Sequence, residues 1–356
     1  MIQLKMASYY DNIDNYHKVD TIVETLLTEH IRRANIHTMQ ISHRIKTVES
    51  TSEKITRKPE KYTTATDLTD IIGFRIICYF TEQIDMIGEI IERLFDVDKD
   101  NYVDKSTKLS PNAFGYLSVH YICSLKPSES YSEELCSYKF EIQIRTVLQH
   151  TWAEIEHDLG YKNEFGVPHH VRREFSQMAS LLEVADAGFM RIKHELDIYS
   201  KVVADKLRTG DVANVSIDSL SLREFMKYND DFIKFTKDIA AISNATLMRI
   251  NPDNFINQLE FFDVKTLGDL IKMQNDNQVL AMKLAYNTLH DSEIDELAST
   301  VGLFYLCRAA LISGPYNQTD IYRYLEILLT KETLIEKQAN HLLKQREMYI
   351  GSESGN

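Results

Sequence analysis

The sequence predicts an α+β protein in which a mixed β-sheet flanked by helices is followed by an all-α region. Three observations lead to this prediction. The run IIGFRIICYF at 71–80 is apolar and rich in β-branched residues, which is typical of a buried strand. The runs LSVHYICSL and YKFEIQIRT, at 117–125 and 138–146, predict two further strands. From Val147 onward, apolar residues recur at helical spacing along most of the chain.

Helices are predicted on both sides of the first strand. The apolar spacing predicts one helix over about 20–48, followed by a short basic helix that Pro59 ends. Beyond the first strand, MIGEIIERLF at 86–95 predicts a helix, and DNYVDKS at 100–106 predicts a strand or strand edge. The turn-forming residues of TKLSPNAFGY at 107–116 predict a loop. We therefore expect a sheet of about four or five strands.

The stretch LRTGDVANVSIDSLS at 207–221 interrupts the helical pattern and predicts a domain boundary, because a chain of 356 residues favours two domains. We expect a first domain at 1–205, a linker at 206–220, a helical domain at 221–350 and a polar, disordered tail at 351–356. The helical domain has no cluster of residues typical of catalysis. Packing or oligomerisation is its favoured role, and regulation of the first domain, including inhibition, is the alternative.

The composition is that of an ordinary globular protein, with 44% hydrophobic and 26% charged residues. A net charge of −13 argues against a broad nucleic-acid surface, which needs a concentrated positive face, but it leaves room for a local basic pocket. The four cysteines are widely spaced, which fits a reducing compartment. There is no signal peptide and no apolar run long enough for a membrane span. We therefore expect a cytoplasmic protein with no membrane partner.

The predicted strand FEIQIRT at 140–146 places polar side chains on one face, because side chains alternate between the faces of a strand. Glu141, Gln143 and Arg145 share that face. A solvated edge strand is the simplest explanation, but Asp70 lies just before the first predicted strand. Two carboxylates from neighbouring strands can hold one Mg²⁺ ion, which takes oxygen ligands.

A local group of basic residues accompanies these carboxylates in an otherwise acidic protein. The group contains Arg44, Lys46, Lys54, Arg57 and Lys58, and the hydroxyl of Ser52 lies among them. Basic side chains beside a carboxylate–Mg²⁺ site suit phosphoryl transfer, in which the protein mainly positions and neutralises phosphates. The phosphate-binding motif GxxxxGK[ST] is absent from the sequence. A solvated basic helix is the structural alternative.

Five short stretches, taken together and in order, identify a family. They are SHRIK (42–46), STSEKITRK (50–58), DIIGFRI (70–76), GYLSVH (115–120) and EIQIRT…TWAEIEHDLGYK (141–162). Over about 20–195 the chain resembles the synthetase domain of RelA/SpoT-type alarmone enzymes, specifically the small alarmone synthetases, which have a nucleotidyltransferase-like fold. Those enzymes transfer pyrophosphate from ATP to the 3′-hydroxyl of GDP or GTP in the stringent response. The resemblance implies the same activity, making (p)ppGpp, with an additional C-terminal helical domain.

The resemblance also implies roles for individual residues. Asp70 and Glu141 match the catalytic carboxylates that bind Mg²⁺. Residues matching the ATP-binding positions are Arg44 and Arg75, which flank the adenine, and Lys46, Ser52, Lys54 and Arg57 near the phosphates. Residues matching the acceptor side are Tyr116, which stacks on the guanine, and His120, Gln143, Arg145, Glu154 and His157. For His157, bracing its helix is the structural alternative, and Trp152 is expected to be a core residue.

One departure from the family pattern keeps other functions open. Leu117 stands where the family usually has Arg after the stacking Tyr116, and Leu cannot contact a phosphate. The first alternative is therefore pyrophosphorylation of the 3′ end of tRNA by a translation-blocking toxin. The second is a non-catalytic nucleotide sensor. The expected partners are ATP and GDP or GTP, with tRNA as the alternative acceptor, and a second copy of the chain in a homo-oligomer.

Overall fold

The computed structural model describes residues 2–99, 103–104, 118–128, 130–160 and 168–350. The chain divides into two compact units, Met1–His194 and Glu195–Asn356. The predicted α+β class is confirmed, because the first unit contains a mixed sheet flanked by helices and the second is mainly helical.

The first unit contains all the strands of the large sheet. In chain order its elements are α1 (Ile2–Arg33), β1 (Thr38–Ile45), α2 (Val48–Arg57), a 3₁₀ helix (Ala65–Asp67), β2 (Ile72–Cys78), α3 (Thr81–Leu94), β3 (Phe95–Val97), β4 (Val103–Asp104), β5 (Val119–Leu125), α4 (Glu133–Ser137), β6 (Phe140–Thr146) and α5 (Val147–Gly160). Helix α6 (His169–Thr209) begins in this unit and continues into the second.

The sheet has the strand order β1-β2-β6-β5-β3, and β4 also pairs with β5. Strands β2 and β6 are parallel, whereas the other pairs are antiparallel. One face of the sheet is apolar and packs in a buried core that includes Phe74, Phe140 and Ile142, together with Val23 and Leu27 of α1. Because side chains alternate along each strand, the opposite face carries the polar residues of β2, β5 and β6.

The helix predicted over about 20–48 is wrong at both ends. Helix α1 starts earlier, at Ile2, and stops at Arg33, and the residues that follow form β1. Asn35 has a positive φ of 55°, Ile36 N–H donates to Ile31 O (3.2 Å) and Asn35 N–H donates to Arg32 O (3.0 Å). This is the Schellman geometry that ends helices at a left-handed residue. SHRIK therefore lies mostly on an edge strand rather than on a helix.

The second unit is a helical bundle with a small additional sheet. Its elements after α6 are α7 (Ser219–Tyr228), α8 (Asp230–Ile242), β7 (Thr246–Met248), a 3₁₀ helix (Asp253–Phe255), α9 (Ile256–Phe261), α10 (Leu267–Leu289), β8 (Glu296–Ala298), α11 (Val301–Ser313), α12 (Gln318–Leu328) and α13 (Glu332–Ile350). Strands β7 and β8 form a parallel pair, which the all-α expectation missed. Phe225, Phe232 and Leu306 lie in the buried core of this unit.

The predicted domain boundaries and the roles given to the two domains stay predictions. Helix α6 continues through the predicted boundary at 205 and ends at Thr209, and the next helix begins at Ser219. Among the described residues, no helix is both long and apolar enough to cross a membrane.

Candidate active site

Two carboxylates meet at the polar face of the sheet. Asp70 lies just before β2, and Glu141 lies on β6, where it pairs with Gly73 of the parallel strand β2. The charge of Asp70 is one of the influences that act to raise the pKa of Glu141, so the two carboxylates are close enough to repel each other. The parallel pairing of β2 and β6 is therefore what brings these distant residues together.

Two lysines neutralise Asp70. Lys46, which follows β1, and Lys54 of α2 both donate through Nζ to Asp70 Oδ2, the second over 2.6 Å. Burial acts to raise the pKa of Asp70, but the hydrogen bonds and charges of the two lysines outweigh it, so this pKa lies below its ordinary value. Burial also lowers the pKa of Lys46, although Asp70 opposes that shift. Asp70 is therefore a carboxylate at neutral pH.

The other carboxylate oxygen of Asp70, Oδ1, receives no hydrogen bond from the two lysines. Asp70 Oδ1 is buried and has no hydrogen-bond partner among the residues that the structure describes. A buried carboxylate oxygen without a donor is costly, and a cation can supply the missing interaction. This oxygen is therefore suited to a metal ion.

Glu141 contacts an amide and an imidazole instead of lysines. Gln143 Nε2 donates to Glu141 Oε2 over 3.0 Å, and His120 Nδ1 lies 2.8 Å from Glu141 Oε1. The other ring nitrogen of His120 lies 2.6 Å from Ser118 Oγ. Burial acts to raise the pKa of Glu141, and the contacts with His120 and Gln143 outweigh it, so the pKa is below its ordinary value.

A third cluster of charges lies where β2, β6 and α5 meet. Arg75 Nη1 donates to Glu154 Oε1 over 2.7 Å, and His150 Nδ1 lies 3.7 Å from the same oxygen. Burial lowers the pKa of Arg145, and the nearby charge of Arg75 adds to this shift. Burial and Arg75 also lower the pKa of His150. Glu154 thus supplies the negative charge among several groups that can be positive.

The structure brings most of the predicted site residues to this face. Arg44 pairs with Gly73 across β1 and β2, so it enters the site from the edge strand. Ser52 is half-buried and Arg57 is exposed on α2, whereas His157 is exposed on α5. Trp152, expected in the core, is half-buried. Tyr116 and Leu117 lie outside the described residues.

Two residues in contact with the site were not predicted from the sequence. Ser118 contacts His120, and His150 lies beside Glu154. Each could have been recognised by its spacing: Ser118 and His120 are two apart at a strand, and His150 and Glu154 are four apart on a helix, so each pair shares a face. Glu154 was assigned to the acceptor side, yet its carboxylate contacts Arg75, which was assigned to ATP.

Two carboxylates near lysines and arginines on the polar face of a mixed sheet form an arrangement that suits a polyanionic ligand and a cation. A family model described as "Region found in RelA / SpoT proteins" matches residues 43–165, which include every predicted site residue. The chain is 32% identical over 157 residues to the GTP pyrophosphokinase YwaC of Bacillus subtilis (strain 168), covering 43% of this chain and 73% of that protein. It is 30% identical over 159 residues to the GTP pyrophosphokinase YjbM of the same organism, covering 44% and 72%.

This chain therefore belongs to the RelA/SpoT family, and the resemblance inferred from the five stretches is confirmed. Two solved structures are also similar to it. Small alarmone synthetase 1 from Bacillus subtilis is 24% identical, with 53% of this chain and 98% of that chain covered and a TM-score of 0.45. Small alarmone synthetase 2 from the same organism is 26% identical, with 52% of this chain and 98% of that chain covered and a TM-score of 0.45.

Proposed function

We propose that this chain is a GTP/GDP pyrophosphokinase, which transfers the pyrophosphoryl group of ATP to the 3′-hydroxyl of GDP or GTP and makes (p)ppGpp. Its curated relatives YwaC and YjbM are GTP pyrophosphokinases, and the chain covers nearly three quarters of each. The observation that carries the proposal is the placement of Asp70 just before β2 and of Glu141 on the neighbouring strand β6, with Lys46 and Lys54 bound to Asp70.

Mg²⁺ is the metal ion that this arrangement suits, and Asp70 and Glu141 are the residues that would hold it. The buried Oδ1 of Asp70 lacks a hydrogen-bond partner within the described part of the chain, and carboxylate oxygens are ligands that Mg²⁺ prefers. No group of three or more His, Cys, Asp or Glu residues able to hold a metal occurs among the described residues. Two carboxylates and substrate phosphates are the usual set for Mg²⁺ in such enzymes. When bound, the ion would neutralise charge on the phosphates of ATP.

The lysines provide the binding site for the phosphates of ATP. Their ammonium groups share one carboxylate oxygen, so they are held near each other at the site. Each ammonium has three donors, and Asp70 uses one of them, which leaves donors for phosphate oxygens. The side chains of Lys46 and Lys54 are only 12% and 22% exposed, so water screens these charges less than at the surface. We assign the arginines Arg44 and Arg75 to the adenine of ATP.

Glu141 is the residue that takes the proton from the 3′-hydroxyl of GDP or GTP. Its lowered pKa keeps it ionised at neutral pH, and each of its oxygens can accept a further hydrogen bond besides the contact with His120 or Gln143. In the reaction, the 3′-oxygen of the acceptor forms a bond to the β-phosphorus of ATP. The bond from that phosphorus to the oxygen bridging to the α-phosphate breaks, and AMP leaves with that oxygen. The proton of the hydroxyl passes to Glu141.

The test uses the full chain, Mg²⁺ and ATP labelled at the γ-phosphate, with GDP, GTP and tRNA offered in separate reactions. We expect the label to move to GDP or GTP, with AMP as the second product. Asp70→Asn and Glu141→Gln serve as matched inactive controls. Transfer of the label to tRNA alone would show that the acceptor is the 3′ end of tRNA, the alternative that Leu117 keeps open, rather than GDP or GTP. Label that stays on ATP in every reaction would contradict the proposal and favour a nucleotide sensor.

A further inference from the structure

We infer that the second unit binds a phosphate group at a cluster of basic side chains, formed by Arg308 of α11 with His341 and Lys344 of α13. We call it the α11–α13 basic cluster. None of these residues belongs to the candidate active site, so the inference does not depend on the proposed pyrophosphokinase activity.

Arg308 is the only charged residue of α11, whose sequence is VGLFYLCRAALIS. Most of this helix is buried in the core of the second unit, and Arg308 itself is half-buried. Arg308 Nε donates to Gln345 Oε1 of α13 over 3.3 Å, and its Cζ lies 5.8 Å from the centre of the Phe304 ring. Both contacts are with uncharged groups. They orient the guanidinium but leave its charge without a counter-ion.

The other two basic side chains lie on the side of α13 that faces Arg308. His341 is four residues before Gln345, and residues three or four apart are neighbours on the surface of a helix. Lys344 is three residues after His341, so it extends the same side. Both His341 and Lys344 are exposed, so a ligand can reach them from solvent.

The neighbouring acidic residues of α13 lie on its opposite side. Successive residues of a helix are rotated by about 100°. Glu336 and Glu347 are therefore about 180° and 200° around the helix from Gln345. No carboxylate forms an ion pair with a member of the α11–α13 basic cluster in the described part of the chain.

The members of the cluster repel one another. Burial lowers the pKa of His341, and the positive charges of Arg308 and Lys344 add to this shift. Burial lowers the pKa of Arg308 as well. A cation that is partly removed from water and has no counter-ion is unfavourable, and a bound anion relieves this cost. The cluster therefore favours an anionic ligand, although the chain as a whole has a net charge of −13.

A phosphate group fits the cluster better than a carboxylate. The described hydrogen bond of Arg308 uses only Nε, so both Nη groups can donate to a ligand. A guanidinium binds phosphate oxygens in a bidentate manner, and an ammonium binds them as a point charge. A carboxylate carries a single charge, which one guanidinium neutralises. A phosphate dianion has enough charge and oxygens for Arg308 and Lys344 together, with the imidazole of His341 as a further donor.

The test follows His341 by NMR in the full chain with isotope-labelled histidine, over a range of pH. The chain has 12 histidines, and the His341→Gln variant assigns the signal. We expect inorganic phosphate to raise the pKa of His341, because a bound anion stabilises the imidazolium. Sodium chloride at the same ionic strength is the control, because it only screens the neighbouring charges. Equal shifts in phosphate and in chloride would overturn the inference.

Variants then locate the binding site. We expect Lys344→Met and Arg308→Met each to raise the phosphate concentration at half of the His341 shift by about tenfold, because each removes a charged donor. Lys344 is exposed, so Lys344→Met tests the site even if Arg308→Met does not fold. Lys265→Met is the control, because Lys265 is already paired with Asp263, and we expect no change. Undiminished binding in Lys344→Met, or equal weakening in Lys265→Met, would contradict the assignment.

The source of the phosphate group is decided by adding ATP and GDP in place of inorganic phosphate, at constant ionic strength. A His341 shift at lower concentrations of either nucleotide would identify a nucleotide phosphate as the ligand. A shift at lower concentrations of inorganic phosphate would identify the free ion. No shift of His341 with any of the three would overturn the inference, whether or not the chain transfers pyrophosphate.

Discussion

The two carboxylates of the site carry the same charge but have different partners. Asp70 receives two ammonium groups on one oxygen, and its other oxygen is without a hydrogen-bond partner among the described residues. Glu141 receives one donor on each oxygen, from an imidazole and an amide. Donors on both oxygens of a carboxylate fix its direction more closely than donors on one oxygen alone. Asp70 is therefore placed to exchange partners with an incoming cation and phosphates, and Glu141 is placed to point at one atom.

The largest expected effect comes from removing either charge. We expect Asp70→Asn and Glu141→Gln each to lower kcat by at least about 100-fold, the scale of electrostatic and general-base contributions. The measurement is label transfer at saturating ATP, with circular dichroism to verify that each variant is folded. Near-normal turnover in a folded variant would remove that residue from the site. Equal losses of kcat in the two variants, with different KM values for ATP, would sharpen the distinction between the ATP side at Asp70 and the acceptor side at Glu141.

A smaller effect is expected at the lysines of Asp70. Lys54→Met removes a charged donor from the proposed phosphate site, so we expect KM for ATP to rise about tenfold, which corresponds to about 1.4 kcal/mol. KM for GDP should be unaffected. Lys265→Met is the control, because Lys265 also pairs with an aspartate, Asp263, over 2.5 Å but lies in the second unit. An equal rise in the KM values for ATP and GDP in Lys54→Met would contradict the division into an ATP side and an acceptor side.

The dependence of stability on pH tests both carboxylates together. The ordinary pKa values are 3.8 for Asp70 and 4.5 for Glu141, and both are lowered in the fold. A carboxyl with a lowered pKa stabilises the fold at pH values above its ordinary pKa, and this stabilisation is lost as the pH falls through the folded-state pKa. We therefore expect the free energy of unfolding, measured by urea titration with a chelator present, to decrease as the pH falls below about 4.5. The decrease should be smaller in Asp70→Asn and in Glu141→Gln. An unchanged dependence in both variants would contradict the lowered pKa values.

The smallest effect is expected at Glu154. Its carboxylate is 53% exposed, in contrast to the 18% of Asp70 and of Glu141, and exposed ion pairs contribute little to stability. We expect Glu154→Ala to lower the free energy of unfolding by less than about 1 kcal/mol in urea titration. A loss of several kcal/mol would mean that the Arg75–Glu154 pair is a structural element rather than a surface contact.

Much of the central sheet could be predicted because its strands are recognisable locally. Strands β2, β5 and β6 combine apolar, β-branched residues with regular alternation, and the structure has all three. Strand β1 could not be recognised in this way. Its apolar residues, such as Ile41 and Ile45, continue the spacing of α1, and only pairing with β2 decides that the segment is extended. That pairing is a non-local interaction, which a local pattern does not contain.

The contacts among the candidate site residues could not be predicted from the sequence. The family motifs identify Asp70, Glu141 and Lys54 by type and order, but the sharing of one oxygen of Asp70 by two lysines depends on how β1, α2 and β2 pack. The Arg75–Glu154 pair joins residues 79 positions apart, and no periodicity predicts it. Ser118 was overlooked because its contact with His120, which in turn contacts Glu141, depends on the packing of β5 against β6.

The end of helix α1 makes the spacing between that helix and β1 intolerant of insertion. Asn35 turns the chain so that β1 enters the sheet with Arg44 opposite Gly73 and His43 opposite Phe74. One added or deleted residue in this turn would move every following side chain to the other face of the strand. Arg44 would then exchange places with a residue that packs on the core. Length variation, usually well accepted in surface connections, would here remove Arg44 from the proposed ATP site.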